Sequence, residues 1–440
     1  MSRDLDRRSL LMFSAGAGLA ACQTSVAVTV AEQPTGTGAV PVTRPAAVTP
    51  ASTQALEPGF EAWLAAARAE ALRRGITGAT LDRALAGLAP IQRVIDLDRQ
   101  QPEFTQTFWR YFDGAVSEKR IAAGRAKLRE HAALLARIEH THGVPRRILT
   151  AFWGLETNYG GNLGSFPTIG ALSTLAFEGR RAAFFRAELM NALTILDRGH
   201  APPETMVGSW AGAMGQTQFM PSTFLLHAID YDGDQRIDVW QSAADALGSG
   251  ANYLKNLGWD ASRAWGREVR LPTGFDPGLA SIDTAATETV RPLAAWSQLG
   301  LRRADGGPLP VVDIDAALVL PAGASGPAFL VYENYRTILK WNRSTLYAIA
   351  IGHLSDRLGG GGPLGAPRSA TAPLARADVL ALQEALSRRG LMEASGVDGV
   401  LGSGTRRALR NFQKTEGMPA DGYVDSVSVK DLLRRLAEIP

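Results

Sequence analysis

A lone glutamate at the end of an apolar helix constrains this chain more than any other feature. The stretch Trp153-Gly154-Leu155-Glu156-Thr157-Asn158-Tyr159-Gly160 follows Val144-Pro145-Arg146-Arg147-Ile148. Pro145 suits the first turn of a helix and Gly160-Gly161 its stop, so Glu156 is expected in the last turn. Ile148, Phe152 and Leu155 recur at i, i+4 and i+7, an apolar face that Glu156 borders. Apolar neighbours and the negative end of the helix dipole both disfavour the ionised carboxylate. A raised pKa is therefore predicted, as a general acid near neutral pH requires. The competing reading of the same residues is a helix-end glutamate paired with Arg146 or Arg147.

A second stretch, Ser209-Trp210-Ala211-Gly212-Ala213-Met214-Gly215-Gln216-Thr217-Gln218-Phe219-Met220-Pro221-Ser222, joins small residues that permit close backbone approach to amides and hydroxyls that can bind sugar hydroxyls. Together the two stretches resemble the membrane-bound lytic transglycosylase B family, enzymes that cleave the glycan strand of bacterial peptidoglycan. The resemblance runs over about residues 57 to 358. It implies a lysozyme-like helical catalytic domain in which one glutamate, Glu156, serves as acid and then as base. It further implies cleavage of the β-1,4 bond between N-acetylmuramic acid and N-acetylglucosamine without water, leaving 1,6-anhydromuramic ends, with no cofactor required. Glycosidases ordinarily need two carboxylates, and no second motif-borne carboxylate stands out here. The rivals are a hydrolytic muramidase of lysozyme type and a non-catalytic wall-tethering lipoprotein.

The resemblance places Ser209 and Gln218 beside the substrate, with Tyr253, Trp341, Asn342 and Tyr347 along the groove. Ser209 as a cap and Gln218 as a structural amide are the alternatives. Some relatives carry Tyr where this chain has Trp341, which keeps an aromatic wall but leaves a hydrogen bond there open.

Asp230-Tyr231-Asp232-Gly233-Asp234-Gln235-Arg236-Ile237-Asp238 crowds four carboxylates into one short run. The spacing is that of an EF-hand loop, with Asp230, Asp232, Asp234 and Asp238 at positions one, three, five and nine and the Arg236 carbonyl at seven. Gly233 comes two positions early and Gln241 replaces the closing Glu, for which Asp245 is a displaced substitute. The spacing leaves structural calcium and a solvated turn both open. His140 and His142 have no further ligands clustered nearby and read as a solvated helix end.

The sole cysteine, Cys22, rules out an internal disulfide. Arg3, Arg7 and Arg8 precede an uncharged run from Ser9 to Ala21, too short for a spanning helix and of signal-peptide size. The run ends Leu19-Ala20-Ala21-Cys22, which resembles a lipobox. That resemblance implies a signal peptide over 1–21, a lipidated Cys22 and a place on the periplasmic side of the outer membrane, the alternative being a soluble periplasmic protein. Lys and Arg number 46 against 43 Asp and Glu, a formal charge of +3, too mild to support a nucleic-acid partner.

The 440 residues exceed one typical domain. Residues 22–56 are Thr, Val, Ala, Pro and Gly with almost no charge, and read as a tether. The catalytic unit, 57–358, is mainly α (α+β). One helical face carries Phe60, Trp63, Leu64 and Ala67, another Leu81, Leu85 and Leu88, and a long segment runs from Ile121 to His140. A small β-rich insertion is expected between Gly266 and Leu330, with strand-like runs at Glu268–Leu271, Thr287–Val290 and Ala317–Leu320. Helix returns over Tyr335–Ser344 and Leu346–Leu358. After a glycine-rich linker, 359–373, residues 374–437 resemble the three-helix peptidoglycan-binding module of wall enzymes, with Asp398-Gly399 and Asp421-Gly422 as its turns.

Overall fold

The computed structural model describes residues 59–100, 106–368 and 372–438. Cys22, the leader 1–21 and the tether 22–56 lie outside the described residues. Among those described, no helix is long and apolar enough to cross a membrane.

The catalytic body is a cluster of helices around one large core, and the acid-bearing helix Arg146–Thr157 runs through it with nine of its twelve residues buried. It packs against the helix Thr345–Leu358 and the helices Glu118–Glu130, Ala132–His142 and Ala243–Asn256. The segment expected as one helix from Ile121 to His140 is broken at His131, where φ −103° and ψ 24° leave the helical range. The His131 ring lies edge-on to Trp153, centroids 5.4 Å apart, so the break turns a polar ring onto the acid-bearing helix. Leu85 ends its helix as the C-cap, which leaves Leu88 outside any regular element.

The insertion is a five-stranded antiparallel sheet in the order Arg291–Pro292, Asp315–Val319, Ala328–Val331, Gly266–Arg270, Arg302–Arg303. Its register pairs Gly266 with Val331 and Ala317 with Val331, which places Ala328–Val331 at the centre. All four central residues are buried, so the strand shows no alternation for a sequence reading to find. Its other core face packs Leu293, Trp296, Leu301, Leu318 and Leu330, and the Trp296 indole donates to the Ala316 carbonyl at 2.9 Å. Thr287–Val290, expected as a strand, forms a turn instead. The Asp283 carboxylate accepts from Thr287 N and Oγ1, and Glu288 accepts from Ile282 N, so side chains take the bonds a ladder would need.

Helices Arg376–Arg388, Ser403–Thr415 and Val429–Glu438 form the C-terminal unit around Leu382, Leu386, Leu409, Phe412, Leu432 and Leu436. Two buried glutamines clasp its two Asp-Gly turns. Gln383 Oε1 accepts from Gly399 N and Gln413 Oε1 from Gly422 N, each at 2.7 Å, and both glycines have positive φ. The unit is docked on the insertion. Arg410 donates to the Ala280 carbonyl at 2.8 Å, Asp421 accepts from Ala324 N at 2.8 Å, and Arg407 pairs with Glu288. The glycine-rich connection is held as well, since Glu268 accepts from Gly365 N and Ala366 N.

Candidate active site

Glu156 sits one residue before the end of its helix and is only 7% exposed. Two non-glycine residues, Asn158 and Tyr159, make the turn that stops the helix, at φ 51° and 64°. Tyr159 explains Gly154: a Cβ at 154 would meet the tyrosine ring at 2.7 Å, so only glycine admits the ring that closes this turn. The Tyr159 hydroxyl then donates to the Arg120 carbonyl at 2.8 Å.

The arginines that could have neutralised Glu156 are engaged elsewhere. Arg146 pairs with Glu139 at 2.9 Å, and Arg147 lies against Gly359. Burial pushes the Glu156 carboxyl up to about 7, opposed by hydrogen bonds from Tyr347 and Trp341. Both donors reach the same oxygen: the Trp341 indole Nε1 donates to Oε1 at 3.0 Å, and the Tyr347 hydroxyl donates to Oε1 too. The indole N–H thus fills the place where a hydroxyl was in question. Burial, with the adjacent Glu156, keeps the Tyr347 phenol well above its ordinary range, so Tyr347 is a neutral donor.

Trp341 closes the helix Glu333–Trp341 and stands in an aromatic cluster, its ring 4.6 Å from Phe152, 5.1 Å from Tyr253 and 5.4 Å from Phe219. Asn342 follows in extended conformation, where the chain turns into the helix bearing Tyr347. Tyr253 is buried and its ring packs tilted against that of His227, centroids 4.6 Å apart. Side chains from three separate regions, Phe152, Phe219 with Tyr253, and Trp341, therefore meet around the indole that donates to the Glu156 carboxyl.

The loop Ser209–Met220 forms the neighbouring wall. Ser209 Oγ accepts from Ala213 N at 3.0 Å, a turn clasp that leaves the hydroxyl proton available. Gln218 has φ 49°, held by its own amide, which donates to the Leu163 and Gly215 carbonyls at 3.2 and 3.0 Å. Its carbonyl oxygen has no hydrogen-bond partner among the described residues. The loop is tied to the acid-bearing helix by Gln216, which sequence reasoning passed over: Gln216 Oε1 accepts from the Trp153 indole at 2.9 Å, and Thr157 Oγ1 donates to the Gln216 carbonyl at 2.8 Å. Gln216 and Gln218 flank Thr217 identically in sequence, and only the fold says which of them is buried.

The aspartate loop brings together Asp230, Asp232 and Asp245, whose carboxylate oxygens lie within 4.8 Å of one another. Asp234 accepts from Arg236 N, and Asp238 pairs with Arg236 while accepting from Trp240 N and Gln241 N. Those two carboxylates are turned to the loop's own backbone and arginine.

Residues 59–356 match the family model described as transglycosylase SLT domain, and 375–430 match that of a peptidoglycan binding domain. The chain is 32% identical over 255 residues to membrane-bound lytic murein transglycosylase B of Escherichia coli (strain K12), covering 56% of this chain and 66% of that relative, just under two thirds. The fold matches the crystal structure of SltB3 from Pseudomonas aeruginosa in complex with NAG-anhNAM-pentapeptide, with TM-score 0.81 and 45% identity over 86% of this chain and all of that one. It also matches Escherichia coli lytic transglycosylase Slt35 in complex with calcium, with TM-score 0.58 and 27% identity over 69% of this chain and 93% of that one.

Proposed function

The chain belongs to the SLT transglycosylase family, and from that premise we propose that it is a peptidoglycan lytic transglycosylase in which Glu156 is both acid and base. The observation that carries this is the buried Glu156 carboxyl, raised to about 7, which has two neutral donors on one oxygen and no cationic partner among the described residues. The protonated carboxyl gives its proton to the glycosidic oxygen as the bond from the muramic acid C1 breaks. The resulting carboxylate then takes the proton of the same sugar's C6 hydroxyl, whose oxygen bonds to C1. The acid is regenerated and water is not consumed. Orientation of an internal hydroxyl makes the second step effectively unimolecular, the setting in which positioning contributes most. Ser209 and Gln218, on the loop that Gln216 ties to the acid-bearing helix, and Asn342, next to Trp341, offer polar groups for sugar hydroxyls, and the Tyr253–Trp341 cluster offers an aromatic wall.

The test is mass analysis of fragments released from purified sacculi in oxygen-18 water. Unlabelled 1,6-anhydromuramic ends are expected; labelled reducing ends as the main product would make the protein a hydrolytic muramidase. Its C-terminal module resembles a wall-binding domain and adds affinity for peptidoglycan rather than chemistry.

Lipid anchoring at Cys22 to the periplasmic face of the outer membrane is supported by the Leu19-Ala20-Ala21-Cys22 sequence and by a membrane-bound relative. Cys22→Ala should move the protein to the soluble fraction, and a variant still wholly in the outer membrane would place the anchor elsewhere. Structural calcium fits three converging carboxylate donors, which are hard oxygen ligands suited to that ion. Asp230, Asp232 and Asp245 would hold it, pinning the loop to the helix Ala243–Asn256 and stabilising the fold by mass action. A higher melting temperature in calcium than in chelator at matched ionic strength is expected; equal values would count against it.

A further inference from the structure

We propose that Trp341 and Tyr347 are positioning residues that confine the transferable proton of Glu156 to Oε2, so that one oxygen both delivers the proton to the glycosidic oxygen and retrieves it from the C6 hydroxyl. The inference rests on the transglycosylase reading and adds to it which atom acts and what selects it.

A carboxyl oxygen has two in-plane directions for hydrogen bonding, and on Oε1 both are taken by donors, Trp341 Nε1 at 3.0 Å and the Tyr347 hydroxyl. A proton on Oε1 would occupy one of those directions and point at a donor. Tyr347 could accept only by turning its own hydroxyl proton away from Oε1, and that buried proton has no other acceptor among the described hydrogen bonds. An indole cannot accept at all, because its nitrogen lone pair belongs to the ring and Nε1–H only donates. Nor can the ring move aside, with Phe152, Tyr253 and Phe219 at 4.6, 5.1 and 5.4 Å. Oε1 is therefore the carbonyl oxygen of the acid and an acceptor in both charge states.

Oε2 has no partner among the described hydrogen bonds, and it is not one of the fully enclosed polar atoms left without one. It is the oxygen left for substrate. The same two donors persist after the proton leaves, so the carboxylate is stabilised in place between the two steps and keeps Oε2 aimed where it was. This also gives Trp341 and Tyr347 a direct task at the acid, in addition to the aromatic wall that the Trp341 ring offers the sugar.

The experiment uses the full-length protein with Trp341→Phe, Tyr347→Phe and the conservative Trp341→Tyr, read by infrared difference spectroscopy against Glu156→Gln and by the pH profile of kcat/KM. With the proton on Oε2, the C=O stretch of protonated Glu156 is that of Oε1, so losing either donor should move it to higher wavenumber, and Trp341→Tyr should bring it back. The alkaline limb of kcat/KM should rise by about one pH unit in each Phe variant, the size expected when a hydrogen bond to a charged group is lost, while KM changes little. A C=O stretch unmoved by both Phe variants would put the proton on Oε1 and overturn the proposal, as would an unshifted limb accompanied only by lower activity. If wild type makes no anhydro ends, the transglycosylase reading fails; if anhydro ends form and the stretch stays put, only this assignment fails.

Discussion

Two buried glutamates on separate helices face opposite fates in this molecule. Glu156, in Arg146–Thr157, and Glu188, in Ala182–Asp197, are 7% and 4% exposed, and burial raises the pKa of both. Glu188 has both oxygens engaged: Oε2 accepts from Ser222 N at 2.8 Å and Oε1 from Ser222 Oγ at 2.6 Å, and Asn191 is a further side-chain donor. It thereby anchors the start of the helix Pro221–His227, just where the loop Ser209–Met220 ends. Glu156 receives two donors on one oxygen and keeps the other for use. Burial and a raised pKa thus mark both residues, but the distribution of donors over the two oxygens separates a structural tie from a transferable proton.

The largest effect that could break this comparison lies in activity. Glu156→Gln keeps the shape and the acceptor for Trp341 and Tyr347 but removes the proton, and kcat/KM should fall by at least about 100-fold, with glycan binding retained. An active Glu156→Gln protein would remove the residue from the mechanism.

The same variant sharpens the comparison through pH. The folded-state pKa of Glu156 is about 7 against an ordinary 4.5, so between those values the unfolded chain has lost a proton that the folded chain still holds. Raising the pH through that window lowers wild-type stability, by up to roughly 3 kcal/mol. Glu156→Gln should therefore match wild type near pH 4 and exceed it near pH 8 in denaturant melts, and parallel curves would contradict the assigned pKa.

Glu188→Ala gives the converse and the smallest effect of the three. It leaves the Ser222 donors without their acceptor and should cost about 2 kcal/mol of stability, while activity per folded molecule stays within about threefold of wild type. A loss comparable with that of Glu156→Gln at full folding would erase the distinction drawn between them.

How much of this was legible in sequence depends on the distance over which each decision is made. The position of Glu156 near a helix end, its apolar neighbours and the direction of its pKa follow from i, i+4 and i+7 spacing within a dozen residues. The two Asp-Gly turns of the C-terminal unit are equally local, although the glutamines that clasp them stand 9 and 16 residues before their glycines and carry no turn signal of their own. The strand expected at Thr287–Val290 failed because Asp283 and Glu288 bond to nearby backbone, a competition that β-like composition does not display. The break at His131 brings its ring to Trp153, 22 positions away, a contact that local periodicity does not display.

What the sequence alone determined, then, is the inventory: the helical body, the sheet-bearing insertion, the C-terminal three-helix unit and the one carboxyl suited to acid–base work. Local periodicity and turn chemistry suffice for these, since each depends on neighbours along the chain. Only the tertiary structure decided which oxygen of that carboxyl is free. Its two donors stand 185 and 191 residues away, and their convergence on Oε1 depends on how the helices Glu333–Trp341 and Thr345–Leu358 pack against Arg146–Thr157. A hydrogen bond is fixed by angle and by tenths of an ångström, and those are set by packing rather than by the identity of the residues that make it.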